Sequence, residues 1–550
     1  MTGKTLRFLL LTGFVGGVSS AVAAQMSPSP ANLSVEDVAD RVAKNEAALK
    51  AKMRELHPII EVYIQGVAAD LKLGAVPSGD AYFLGRFDWD DREGPKLRSL
   101  TVDKGSKVNW LMRTFTTQYL PDGFAAMGAP DWFGLDRGRY DFTFVRREFL
   151  GEARCLVFNV SPKSSGMDGF TGRIWVEDRD YNIVRFNGIN RDRAILKGVR
   201  KKTPFHVDSW RLNVAPHMWL PAYIYSEEIQ ENDPQAIPRL KSQVRLWAYD
   251  PKNSSATQEF TAIRIDEVRD EAERGREQLS PVQGQRLWEQ QAEDNVIDRL
   301  SRAGLLAPPN NVDKVLDTVV RNLEITNNIT LEQEVHCRIL LTSPLESFTI
   351  GHTIVLSRGL IDVLPDEASL AMMLAHELSH VVLGHQLIDT KFAYADRLMV
   401  PDTELLKIVK FQHGQTGESA ADDKGVELLK NSPYKDKLAQ GGLFLKAVAA
   451  NARILPNLIQ SHLGEQLADG KQFQRLGQLM EQAPELAPDS LDQVAALPLG
   501  GRVVIDPWTG SRELLRTAVA PTSAREKVAL AIAPLVPYTK YVDTAVAEAK

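Results

Sequence analysis

The sequence is poor in cysteine and has no block of basic residues. Cys155 and Cys337 are the two cysteines among 550 residues, which excludes a small scaffold held together by disulfides. In an oxidising compartment they could form one disulfide, and two separate buried thiols are the alternative. Lys and Arg number 65 against 71 Asp and Glu, for a formal charge of -6. A mildly acidic chain without a basic cluster lacks the electrostatic footprint of a nucleic-acid-binding protein.

Long apolar runs and internal repeats are also missing. Hydrophobic residues make up 44% and charged residues 25% of the chain, which excludes both a mostly disordered chain and a membrane protein with many spans. The sequence shows no period of about 20 to 50 residues that would indicate a repeat protein. The length favours about three domains with ample apolar burial.

The first residues have the pattern of a secretory signal. Lys4 and Arg7 form a basic start, Phe8 to Val18 is an apolar run, and Ala21 to Ala24 offers small residues for cleavage. The apolar run is too short to cross a bilayer, although an uncleaved anchor is the alternative. We therefore expect residues 1–24 to be a signal peptide and the protein to be periplasmic or secreted.

The segment 34–260 is predicted to form an N-terminal helix followed by a β-rich domain. Ser34 with Asp37 is typical of a helix N-cap, and Val35, Val38 and Val42 recur at helical spacing. We expect the helical segment to continue, broken before Pro58, to about residue 73, where the turn-forming residues 74–80 end it.

Short aromatic and β-branched runs from Tyr82 to Tyr249 predict an antiparallel sheet. Residues 173–177 and 183–186 should pair as a hairpin. Further strands are expected at 142–149, 156–160, 205–214, 223–226 and 244–249. The order of strands around "GRIWVEDRDYNIVRF" resembles the half-barrel of lipoprotein carriers of the LolA and RseB type. A structural β-domain without a ligand is the alternative.

The second half of the chain reads as mainly helical, which makes the fold class α+β. A charged helical segment from about 265 to 303, closed by Pro308 and Pro309, predicts a linker over 261–309. The chemical motifs fall in a core at 310–430. A mainly helical C-terminal region, 431–550, follows.

Two histidines with a glutamate between them stand out in "LAMMLAHELSHVVLGH". His376 and His380 are one helical turn apart, so both imidazoles leave the same face of a helix. This spacing suits one zinc ion, and Glu377 can reach a water on that ion. The run 367–383 has no Pro or Gly and is largely apolar, which favours a buried helix.

Catalytic zinc needs a third protein ligand and an open position for water, and two candidates exist. His385 is near in sequence, but nine residues past His376 it faces the opposite side of the helix unless Gly384 breaks the chain sharply. Glu418 is the other candidate, with Asp422 one turn later to hold an imidazole N–H. Carboxylates at this spacing are also common on solvated helix faces.

The motifs "HELSHVVLGH" and "ESAAD" together resemble the gluzincin metallopeptidases of family 48, which include the CAAX-prenyl endopeptidases, HtpX and soluble periplasmic proteases. The resemblance implies a zincin fold with one Zn²⁺ per chain. It implies that His376, His380 and Glu418 bind the metal, that Glu377 is the general base, and that Asp422 accepts a hydrogen bond from the N–H of a metal-bound imidazole. The likeness covers about residues 305–430.

Where membrane-bound members carry apolar spans, residues 386–417 mix charged and apolar residues, so we expect a soluble lid over the cleft. Its apolar side chains are Leu398, Met399, Leu405, Leu406, Ile408, Val409 and Phe411. The family's downstream His-Pro segment has only a loose counterpart at Ser461-His462. The segment 334–341 is either an edge strand for an extended substrate or an ordinary core strand.

The expected function is that of an exported zinc metalloendopeptidase acting on protein or peptide substrates, with envelope protein quality control as its setting. A chaperone that holds lipoproteins or apolar clients beside an idle zinc site is the alternative. An exopeptidase finds no support, because no device for gripping a free terminus is evident. Peripheral contact with a membrane is left open, and the sequence gives no oligomeric state.

Overall fold

The computed structural model describes most of both halves of the chain. The described residues are 34–70, 74–90, 94–101, 121–132, 134–150, 153–164, 169–191, 204–230, 238–249, 281–309, 311–385, 406, 411–459, 463, 468–469, 472–473, 476–486, 503–505 and 512–514. The predicted signal peptide and Ser461-His462 lie outside them, as does most of the predicted lid.

Helix α1, Val35–Leu56, begins at the predicted N-cap. The Ser34 side chain accepts from the Asp37 backbone N–H, and the Asp37 side chain accepts from the Ser34 backbone in return. The helix ends at His57, which has a left-handed φ of 40°, directly before Pro58. The expected helical continuation to residue 73 is wrong, because strand β1, Ile59–Asp70, follows. Its β-branched and aromatic start suits a pleated strand better than a helix.

Ten antiparallel strands form one open sheet with the order β3-β2-β1-β10-β9-β8-β7-β6-β5-β4. The strands after β1 are β2 Gly74–Asp90, β3 Gly94–Ser99, β4 Tyr140–Leu150, β5 Ala153–Pro162, β6 Phe170–Glu177, β7 Ile183–Asn190, β8 Phe205–Ala215, β9 Met218–Glu228 and β10 Leu240–Trp247. A short helix, α2, Pro121–Ala126, lies between β3 and β4. The predicted hairpin is confirmed as β6 and β7, with Trp175 opposite Arg185. The predicted turn at 74–80 is wrong, since these residues begin β2.

The second half is built from helices around a small sheet. Its elements are α3 Pro281–Arg302, α4 Asn311–Thr326, β11 His336–Leu340, β12 Ser347–Ile350, β13 Thr353–Ser357, α5 Arg358–Val363, α6 Glu367–Leu383, α7 Gln415–Lys430, a 3-10 turn Lys435–Lys437, α8 Leu438–Asn451, α9 Pro456–Ile459, β14 Ala468–Asp469, β15 Gln472–Phe473, α10 Gly477–Gln482, β16 Val503–Ile505 and β17 Arg512–Leu514. The sheet has the order β11-β13-β12, which places β12 at an edge. The α+β fold class is therefore confirmed.

Apolar burial ties the large sheet to the helical part. One cluster packs α1 and α2 on one face of the sheet, with Val42, Phe124 and Phe186 among its members. A second cluster joins Ile59 and Trp247 of the sheet to side chains of the helices and of the small sheet. The ten-stranded sheet is thus a layer between α1 and the helical part. The two halves share an apolar interface, into which α3 of the predicted linker also packs.

Buried charges on the large sheet hold loops of the helical part. Asp80 accepts from the Asn457 and Leu458 backbone N–H groups at 3.0 and 2.7 Å, and burial raises the pKa of this carboxyl. Glu61 accepts from the backbone and the hydroxyl of Ser343 at 2.6 and 2.8 Å. Arg245 pairs with Glu61 and donates to the Leu341 carbonyl at 2.7 Å. The loop that leads into β12 is therefore anchored on the sheet.

The two cysteines are separate buried thiols, in keeping with the second of the two alternatives. Burial raises the pKa of Cys155 to about 11 and the pKa of Cys337 well above its usual value. No helix among the described residues is long and apolar enough to cross a membrane.

Candidate metal centre

The helix that carries both histidines, α6, lies in the centre of the helical part. Asp366 caps its first turn by accepting from the Ser369 N–H at 2.8 Å. Residues 368–380 are buried on every face of the helix, as an apolar sequence without Pro or Gly allows. Gly384 ends the helix with a φ of 65°, a left-handed conformation that glycine adopts without strain.

Three side chains bring one donor atom each to the same point. Nε2 of His376 and Nε2 of His380 are 3.2 Å apart. Glu418, in the first turn of α7, places Oε2 at 3.5 Å from the former and Oε1 at 3.7 Å from the latter. Among the described residues, these three form the one group able to hold a metal ion, with donors within 4.8 Å of one another.

This donor set fits zinc. Two imidazole nitrogens and a carboxylate oxygen at about 2.0–2.2 Å from a tetrahedral ion would be about 3.3–3.5 Å apart. The two imidazole nitrogens are 3.2 Å apart, and the Glu418 carboxylate approaches one through Oε2 at 3.5 Å and the other through Oε1 at 3.7 Å, so a small shift of Glu418 would present one oxygen to the ion. Both histidines are fully buried and Glu418 is partly exposed.

The predicted neighbour of the first imidazole is also in place. Asp422 Oδ1 lies 2.7 Å from His376 Nδ1, which turns Nε2 of that ring toward the other donors. Helix α7 comes this close because Gly425, on the same face, rests against α6. A Cβ at that position would lie 3.3 Å from the backbone of His376. In the sequence, the position of this glycine three residues past Asp422 is the available signal for the face of α7 that contacts α6.

Glu377 is fully buried, and two hydroxyls of β12 hold its carboxylate. Ser347 Oγ donates to Oε1 at 2.6 Å, and Thr349 Oγ1 donates to Oε2 at 2.8 Å. Neither hydroxyl could be predicted from sequence, because nothing in the spacing of residues 347 and 349 relates them to a glutamate about 30 positions away. Alternate residues facing a neighbouring helix would have been the available signal.

Regular helix geometry predicted that His385 faces away from the other histidines. In the structure it lies beside them. Because Gly384 ends the helix in a left-handed conformation, His385 Nδ1 lies 3.0 Å from His380 Nδ1. It is a neighbour of an imidazole and not part of the three-donor group. His413, which the sequence analysis missed, stacks on His380 with ring centroids 3.8 Å apart.

An aromatic pair covers strand β12, which lies beside α6. Phe411, from the end of the predicted lid, stacks on Phe348 of β12 at 4.8 Å, and both are fully buried. Leu406, the other described apolar residue of the lid, is also buried. Strand β12 packs against α6, whereas β11, which lies in the proposed substrate strand 334–341, pairs with β13 at the far edge.

Comparison with known proteins assigns the segment around this helix. Residues 311–414 match the family model Peptidase family M48. The resemblance inferred from the motifs is confirmed over this range, which includes His376, Glu377 and His380 and ends four residues before Glu418. The match to this family implies a metallopeptidase. No curated protein sequence matches the chain.

Two solved structures to which the chain is similar are described as lipoprotein-sorting or LolA superfamily proteins. One is a domain described as outer membrane lipoprotein-sorting, from Vibrio parahaemolyticus, with 10% identity and a TM-score of 0.19. The other is a LolA superfamily protein from Nitrosomonas europaea, with 10% identity and a TM-score of 0.17. Each match covers 38% of this chain and 91% of the other.

Proposed function

We propose that this protein is a zinc-dependent metalloendopeptidase in which His376, His380 and Glu418 bind the metal. The observation that carries the proposal is the convergence of these three donors, within 4.8 Å of one another, on a buried helix of the Peptidase family M48 segment. The donor set is the two-histidine, one-carboxylate type found in hydrolytic zinc sites, with a fourth position available for water.

Zinc at this site would acidify a water and polarise the scissile carbonyl. Glu377, adjacent in sequence to a ligand, takes the proton from the attacking water and returns it to the leaving amine. Asp422 accepts from His376 Nδ1 at 2.7 Å and so keeps Nε2 of that ring for the metal.

The substrates we propose are proteins of the cell envelope. The signal-like sequence at 1–24 supports export to the periplasm or the medium. A buried site beside the covered strand β12 suits an enzyme that restricts access, as expected for a protease that removes defective proteins. We propose that the ten-stranded sheet binds these clients, and its Glu61 and Arg245 hold the loop that leads to β12 beside the site.

The decisive experiment compares wild-type protein with Glu377→Gln by metal analysis and by cleavage of casein and a peptide library. We expect about one zinc per chain in both proteins and hydrolysis in the wild type alone, because Glu377 acts on the water and not on the metal. Loss of zinc from the variant would contradict the role of Glu377 as a general base that does not bind the metal. A zinc-loaded wild type that cleaves nothing and binds unfolded clients would favour the chaperone alternative.

A further inference from the structure

Two hydroxyls of the edge strand control the orientation of the carboxylate that the proposed reaction uses. Ser347 and Thr349 are two residues apart on β12, so their side chains leave the same face of the strand. That face meets α6. Ser347 Oγ is 2.6 Å from Oε1 of Glu377, and Thr349 Oγ1 is 2.8 Å from Oε2 and 3.2 Å from the carbonyl oxygen of the same residue.

Burial makes these hydrogen bonds strong. Ser347 and Glu377 are fully buried and Thr349 is 2% exposed, and a carboxylate removed from water must be hydrogen-bonded to avoid a large desolvation cost. Hydrogen bonds to a charged acceptor are also roughly twice as strong as neutral ones. With one hydroxyl on each oxygen, the plane of the carboxylate as well as its position is determined.

We infer that Ser347 and Thr349 are positioning residues that orient the carboxylate of Glu377 for proton transfer, an inference that rests on the proposed function. A glutamate has three rotatable side-chain bonds, whereas a general base must lie within about 2.6–3.2 Å of the proton that it removes. The hydroxyl pair removes this freedom. Strand β12 thereby becomes part of the proton-transfer geometry, and both hydroxyls act through the Glu377 carboxylate rather than on the substrate.

The test uses variants that differ in the hydroxyl alone. Thr349→Val keeps the shape of the side chain and removes the hydroxyl, whereas Thr349→Ser keeps the hydroxyl. Ser347→Ala removes the second donor. Ser379→Ala is the matched control, because Ser379 is a fully buried hydroxyl on α6 that donates to the Ala375 carbonyl at 2.7 Å.

For the zinc-loaded full-length proteins we expect kcat to fall about 10- to 100-fold in Thr349→Val and in Ser347→Ala, with KM nearly unchanged. Thr349→Ser and Ser379→Ala should keep kcat within about threefold of the wild type. Zinc affinity should be the same in all. Wild-type kcat in both hydroxyl-free variants would overturn the inference, and so would an equal loss in Ser379→Ala.

Failure of the inference can be separated from failure of the proposed function. If the wild type cleaves and Glu377→Gln does not, the proposed function stands and the hydroxyl variants alone decide the inference. If the wild type cleaves nothing, crystal structures of zinc-loaded wild type and Thr349→Val decide it. A rotated or disordered Glu377 carboxylate in the variant would support the inference, and an unchanged one would overturn it.

Discussion

Replacing Asp422 tests how much the helix α7 contributes to the metal site beyond its ligand. The carboxylate lies 2.7 Å from His376 Nδ1, and its side chain is 16% exposed, so water can replace it only in part. An asparagine keeps a neutral acceptor at this position, whereas an alanine removes it. We therefore expect a graded loss of zinc affinity, in which Asp422→Ala binds zinc more weakly than Asp422→Asn does.

The expected magnitude follows from the strength of one partly buried hydrogen bond to a charged acceptor. Such bonds contribute about 1.5–3 kcal/mol, and altering an acceptor of this kind typically lowers metal affinity about 10- to 100-fold. We expect about 10-fold for Asp422→Asn and about 100-fold for Asp422→Ala. The assay is competition for zinc with a chromophoric chelator at constant pH and ionic strength.

The neighbouring residue provides the control. Asp423 carries the same charge on the same helix but accepts from Gln478 at 2.9 Å, away from the histidines. Asp423→Asn therefore removes an equal charge without touching an imidazole and should leave zinc affinity nearly unchanged. If the two asparagine variants bind zinc equally well, the contact with His376 contributes nothing, and Asp422 is an ordinary residue of a solvated helix face.

Three further predictions concern the ligands, the lid and Asp362, a partly buried carboxyl that lies 3.4 Å from Arg358. Glu418→Ala should lose zinc and hydrolysis, whereas His385→Ala should keep zinc with about 10-fold weaker affinity, because His385 Nδ1 lies 3.0 Å from His380 Nδ1. Metal titration showing the reverse order would refute the ligand assignment. Burial raises the pKa of Asp362 to about 7, so the folded protein holds this proton to higher pH than the unfolded chain, and stability falls as pH rises from about 4 to about 7. Asp362→Asn should therefore be more stable than the wild type by about 1–3 kcal/mol near neutral pH and above, and urea unfolding that finds no such pH-dependent difference would contradict this. Deletion of residues 398–410 should increase the rate or range of cleavage in a folded protein, and unaltered cleavage of casein and peptides would show that the lid does not restrict access.

The part of the site that could be predicted from sequence is the part that helical periodicity determines. His376 and His380 share a face because four residues make about one turn, and Glu418 and Asp422 share a face of the next helix for the same reason. The structure brings both faces together. Helix α6 could also be predicted in full, since its apolar run has a capping residue before it and a glycine after it.

Periodicity was less informative where the backbone conformation of one residue decides how the chain leaves a helix. Gly384 could continue the helix or end it, and these two conformations place His385 on opposite sides. The left-handed φ of 65° ends the helix at this residue. The same holds at His57, whose left-handed conformation before Pro58 ends α1 and allows β1 to begin. In each case the neighbouring pattern indicates that an element ends but not the direction in which the chain leaves.

Contacts between separate elements were beyond the reach of sequence reasoning. The hydroxyls on Glu377 come from β12, and β12 in turn follows a loop whose Ser343 is bound to Glu61 of the large sheet. Residues 61, 343 and 377 have no common motif, because each is chosen for its own element and they meet only after the two halves pack. A polar residue buried at such a junction depends on every partner for its hydrogen bonds. A displacement of the sheet would therefore move the loop before β12. Since that loop sets where β12 begins, it also affects the orientation of the Glu377 carboxylate.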